Sequence, residues 1–216
     1  MTRHQDYWRR AADGYRRAGL LDDACRCFEQ LEDARQAALL HERRGRWARA
    51  AAWYERIPAW EDAARCHTWD GQGEAAARCW SRAGDRLRAG WALAEQARRF
   101  AQARDLLREF TPVEAGEALG LELVLARCQA GMGGHHAAAS GLRNVIQQFA
   151  RVETVADQQR LETWAVRLAD VLQRPDLAAL VYAAALQAGI PGAVERWARW
   201  AQGTLGDTTG VPTPAA

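Results

Sequence analysis

Lysine is missing from this chain. All 29 basic side chains among its 216 residues are Arg, set against 27 acidic ones for a formal charge of +2. A P-loop needs a Lys on the β/γ-phosphates, a kinase needs its strand Lys, and a pyridoxal-phosphate enzyme needs one for its Schiff base. None of these can be built here. Ser is nearly as scarce, at positions 81 and 140 alone, and neither Ser81 nor Ser140 has the glycines of a nucleophile elbow. Asn occurs once, at Asn144. Long apolar runs are absent too: the most apolar stretch, Leu177 to Ile190, is too short and Ala-rich to span a bilayer. The first residues, Met1-Thr-Arg-His-Gln-Asp, lack the apolar core of a signal peptide. An odd count of five Cys behind such a start reads as reduced thiols in a cytoplasm, with no membrane partner. The bias to Arg and to 46 Ala fits a GC-rich, bacterial genome.

What is abundant is arranged. Ala stands at 11, 24, 37, 50, 63, 76 and 89, always thirteen residues apart, and a small residue always follows it. Four places after each anchor comes a ring or Leu: Tyr15, Phe28, His41, Tyr54, His67, Trp80 and Leu93. Eight places after it, Gly19, Gly45, Gly71 and Gly84 stand where a helix C-cap wants them. At 100° per residue, positions −3, 0, +1, +3, +4 and +7 share one side of a helix, and among them only Arg44, Asp70 and Arg86 are charged. Each unit therefore reads as an amphipathic helix of about ten residues and a turn of about three. So short a helix needs its neighbours, and two units make a 26-residue hairpin.

The second half predicts longer helices near 113–130, 135–150, 154–173, 176–188 and 192–204, punctuated by Pro112, Pro175 and Pro191 and by Gly131 and Gly189. No segment alternates with a strand period. The expected fold is all-α: a right-handed α-solenoid of short hairpins over 1–110, a longer-helix part over 111–205 and a disordered tail from 206 to 216. Ala24-Cys-Arg-Cys-Phe-Glu, Ala50-Ala-Ala-Trp-Tyr-Glu, Ala76-Ala-Arg-Cys-Trp-Ser and Leu161-x-x-Trp-Ala-x-x-Leu-Ala resemble the small-residue and ring positions of tetratricopeptide-like α-solenoids, over roughly residues 7–205. The hairpin here is 26 residues long, against roughly 34 in that family. The resemblance implies a non-catalytic interaction scaffold.

No catalytic constellation emerges beside it. His41-Glu-Arg-Arg-Gly45 opens like a zincin helix and has Gly where the second His belongs. Asp70-Gly-Gln-Gly-Glu74 has too few carboxylates for a calcium loop. Adjacent Cys66 and His67 diverge by about 100° on a helix, which defeats a nucleophile pair. Cys27, Cys66 and Cys79 share the +3 position with Leu40 and Trp53, so they read as small core residues, and no metal or cofactor is expected.

Residues 1–110 carry 21 Arg and seven Trp, which raises single-stranded nucleic acid as an alternative ligand. The Arg side chains are interleaved with acids on the same faces, the pattern of a solvated surface, so nucleic acid ranks second to protein. The better clue is that the helices anchored at 37, 63 and 89 show large apolar residues on the outer side: Leu39, Trp69, Leu87 and Trp91. Leu39 and Leu87 read as packing residues. Trp69 and Trp91 are either partner anchors or plugs in the coil. With His41 and His67 at the ring position and Arg43, Arg65 and Arg88 nearby, they form the expected binding set for an acidic helix or peptide.

Overall fold

The thirteen-residue spacing of the Ala anchors becomes a row of short helices in the computed structural model, which describes residues 3–206. After α1 (Arg3–Arg17) come α2 (Leu21–Gln30), α3 (Ala34–Arg43), α4 (Trp47–Arg56), α5 (Trp60–Trp69), α6 (Gly73–Arg82) and α7 (Arg86–Glu95). From α2 to α7 every helix has ten residues. The anchors Ala24, Ala37, Ala50, Ala63, Ala76 and Ala89 are fully buried, because each lies where consecutive helices approach most closely. Each helix from α1 to α6 packs on the next in sequence.

One backbone device closes these units. From Ala11 to Ala76, the N–H nine residues past the anchor donates to the carbonyl of the ring residue: Leu20 to Tyr15, Asp33 to Phe28, Arg46 to His41, Ala59 to Tyr54, Gln72 to His67 and Asp85 to Trp80. This is the Schellman closure of a helix C-terminus, and it needs a left-handed residue just before the donor. Gly19, Gly45, Gly71 and Gly84 supply it with φ between +65° and +86°, whereas Glu32 holds the same place at φ 54° without a glycine's freedom. The side chains of Asp33 and Asp85 then accept from the N–H groups of Gln36 and Arg88, capping α3 and α7.

The chain divides into two compact units, Met1–Ala97 and Arg98–Ala216. The boundary read from the sequence stood at 110. The difference is α8 (Phe100–Leu107), which packs against α9 (Ala115–Gly131) and which the sequence pattern did not separate from the repeats. Beyond them run α10 (His135–Gln148), a 3-10 turn over Phe149–Arg151, α11 (Val155–Val171), α12 (Pro175–Gln187) and α13 (Ala193–Thr204). These longer helices lie where the pattern predicted them, and Pro175 opens α12 at its first turn. Their core is built from Leu123, Leu142, Phe149, Leu161, Leu168 and Leu177. Within it, the Glu162 carboxylate, 2% exposed, accepts two hydrogen bonds of 2.7 Å from Arg196.

Among the described residues there is no strand, and no helix is long and apolar enough to cross a membrane. The expected disordered tail lies outside the described residues except for Gly206.

Candidate functional site

Three consecutive units of the first array repeat one polar contact. The Glu five places after an anchor reaches the ring four places after the next anchor, twelve residues on. Glu29 Oε1 lies 2.8 Å from His41 Nε2, Glu42 Oε2 accepts from the Tyr54 hydroxyl at 2.8 Å, and Glu55 Oε1 lies 2.8 Å from His67 Nε2. The rings sit in the seams between helices and each of them is buried. A buried N–H or O–H must find an acceptor, and a Glu at the rim of the seam supplies one while keeping part of its carboxylate in water. The ladder ends at α5, where the fifth position is Thr68, whose hydroxyl turns back to the carbonyl of Ala64.

Two rungs also hold a thiol. Cys25 Sγ lies 3.2 Å from His41 Nε2 and 3.9 Å from Glu29 Oε1. Cys79 Sγ donates to Glu55 Oε1 at 3.4 Å. Burial, reinforced by the neighbouring carboxylates, pushes both thiols up to about 11. Burial also works against ionised Glu55, but hydrogen bonds from His67 and Cys79 outweigh it and hold that carboxyl below its usual range. A thiol so firmly protonated is no nucleophile at neutral pH. The carboxylate and the thiol of the first rung both converge on Nε2, while Nδ1 of His41, like that of His67, has no hydrogen-bond partner. A nucleophile relay needs the acid on one ring nitrogen and the nucleophile on the other.

The outer surface of the same array carries a second feature. A depression of about 440 Å³ is lined by Arg35, Leu39, Glu42 and Arg43 of α3, Tyr54 of α4, and Asp62 and Arg65 of α5. Arg65 is tied to Asp62 at 3.0 Å and to Glu42 at 3.3 Å. Arg35 and Arg43 are exposed and have no carboxylate partner among the described residues. Leu39 lies between them, 39% exposed. At the end of α5, Trp69 is 69% exposed and stacks on Trp47 with ring centres 6.0 Å apart.

No family model, curated protein or solved structure matches the chain.

The residues expected to receive a partner therefore separate into two groups. Arg43, Arg65 and Trp69 are on the surface. His41, His67 and Trp91 are buried, with His41 at 1% exposure and Trp91 at 8%. The His rings are turned into the seams by the carboxylates that accept from them, and α7 buries Leu87 and Trp91 along with Ala89 and Gly90. Leu39, expected to pack, is instead open. Arg88 is half-buried, paired with Asp85 at 3.3 Å and laid over the Trp80 ring at 4.7 Å. The sequence reading missed Glu29, Glu42 and Glu55, although their spacing of thirteen is as regular as that of the anchors. It also missed Arg35, one helical turn before Leu39.

Proposed function

We propose that this chain is a non-catalytic binding scaffold of the tetratricopeptide-like kind, a cytoplasmic adaptor in a multi-component bacterial system. Its docking surface for an acidic helix or peptide is the depression on α3–α5. The observation that carries this reading is the pairing of open Leu39 with Arg35 and Arg43, two guanidinium groups that have no carboxylate of their own among the described residues. Other surface Arg, such as Arg16, Arg26, Arg65 and Arg108, sit within reach of an acid. Two unpaired Arg beside an exposed Leu offer apolar area together with forks for carboxylates, the combination that amphipathic acidic helices use.

Fluorescence anisotropy with a labelled Glu/Leu amphipathic helical peptide tests the reading. R35E and R43E should each weaken binding about tenfold, equivalent to roughly 1.4 kcal/mol, and L39D should weaken it at least as much. The same protein titrated with mixed single-stranded DNA at low and moderate salt separates the rival. Strong DNA binding that collapses with salt, beside no response to the peptide, would replace the scaffold with a polyanion-binding array.

A further inference from the structure

Two rungs of the ladder bring together a set of side chains that the hydrogen bonding alone does not require. A Glu–ring rung needs one donor and one acceptor, and Glu42 with Tyr54 shows that a phenol suffices. In the flanking rungs the ring is His, and a thiol joins it. Cys25, Glu29 and His41 form one group and Glu55, His67 and Cys79 the other, the donor atoms of each lying within 4.8 Å of one another. The Glu and His of the two groups are related by 26 residues, one hairpin, but their thiols arrive from different directions. Cys25 stands one turn before Glu29 on α2, whereas Cys79 comes from α6, the helix beyond His67. The same three donor types have been assembled by two different routes.

We propose that these two triads are zinc sites, each binding one Zn²⁺ through a thiolate sulfur, a carboxylate oxygen and the Nε2 of a buried imidazole. Sulfur, nitrogen and oxygen together are the ligand set of a borderline-soft divalent ion, where calcium or magnesium would take oxygen alone. Zinc bonds of about 2.0–2.3 Å in a tetrahedron place donor atoms roughly 3.3–3.7 Å apart. The first triad has 2.8, 3.2 and 3.9 Å between its donors, and the second has 2.8 and 3.4 Å from Glu55 to His67 and Cys79. Side-chain adjustments of about half an ångström admit the ion. In the first triad acid and thiol converge on a single ring nitrogen, which rules out a relay and is the arrangement coordination asks for. On binding, the thiol loses its proton to solvent and the imidazole proton moves from Nε2 to the unpartnered Nδ1. Each site releases one proton. Three protein donors leave a fourth position at the solvent side, where Glu29 and Glu55 are partly exposed. The first ion ties α2 to α3 and the second ties α4, α5 and α6, so zinc staples the seams of the array. This inference is independent of the docking surface.

Metal-stripped full-length protein is titrated with Co²⁺ and separately with Zn²⁺. The expected result is a thiolate-to-cobalt charge-transfer band saturating at two equivalents per chain, with Zn²⁺ bleaching it and raising Tm. The informative variants are H41Y and H67Y, which keep a rung donor as Tyr54 does and remove the ligand nitrogen. Each should bind one equivalent, and the double variant should lose the band and the Tm rise. C25S and C79S, which test the same ligands without altering the ring, should each remove half of the band, while C128S in the second unit should change nothing. Absence of a thiolate band and of any Tm rise in the wild type overturns the proposal. So does a band that persists at full intensity in C25S/C79S, or in the double Tyr variant.

Discussion

The Tyr54 hydroxyl donates to Glu42 at 2.8 Å across the seam between α3 and α4, occupying the place that an imidazole holds one unit before and one unit after. Removing the donor with Tyr54→Phe strands a carboxylate whose other partner, Arg65, is 3.3 Å away. A loss of about 1.5–3 kcal/mol is expected, as for a hydrogen bond to a charged group, read from urea unfolding. A double-mutant cycle with Glu42→Gln should recover coupling of similar size. Burial, then the Glu42 bond and charge, also push the Tyr54 phenol far above its usual range, and burial takes Tyr182 up to about 12. Ultraviolet titration of the native protein should therefore leave Tyr54 and Tyr182 un-ionised at pH 11.

Glu32 holds a left-handed turn position, φ 54°, that Gly fills at 19, 45, 71 and 84. A residue with a Cβ pays about 1–2 kcal/mol in that region. Glu32→Gly should raise stability by about 1 kcal/mol after the glycine's extra unfolded-state entropy is subtracted. Gly45→Ala should lower it by a similar amount. Equal melting temperatures for wild type and both variants would remove the turn from the account of the repeat.

Gly73 opens α6 at the position where α4 and α5 carry Trp47 and Trp60. A Cβ built there would stand 2.6 Å from the backbone nitrogen of Ala97 and from the Cβ of Gln96. Helix propensity favours Ala over Gly by roughly 1 kcal/mol, yet Gly73→Ala should destabilise by about 1–3 kcal/mol because the obstacle is main chain. Calorimetry decides the sign.

In the second unit, the Arg196–Glu162 pair is bidentate and its carboxylate is inaccessible to solvent. Arg196→Ala should cost about 3–5 kcal/mol by leaving that charge unpaired. Arg196→Lys should rescue only part of it, since an ammonium cannot match both oxygens. The double variant Glu162→Leu/Arg196→Met should be more stable than either single one.

The anchor Ala residues, the capping glycines and the ten-residue length of the helices from α2 to α7 were legible because they follow from the period of one helix. What lies opposite a helix was not. The register put Glu29, Glu42 and Glu55 on the solvated side, and their exposed portions are there, but their carboxylates reach back to rings on the following helix. Trp69 and Trp91 had equal standing in the sequence, and burial separates them, at 69% and 8% exposure. The His rings, read as part of the binding set, lie buried in the seams, where Glu29 and Glu55 of the array meet them.

Six successive units end on the same closure, and a turn of about three residues between helices that pack side by side reverses the chain each time, so the junctions are interchangeable while the orientations are not. Excising one unit, 47–59, would join two compatible ends yet turn every later helix of the first array upside down, moving Trp69 to the opposite edge. Excising two, 47–72, would restore the original sense. The array can therefore lengthen or shorten gracefully only by even numbers, and a binding surface confined to alternate helices survives such editing only when units leave in pairs.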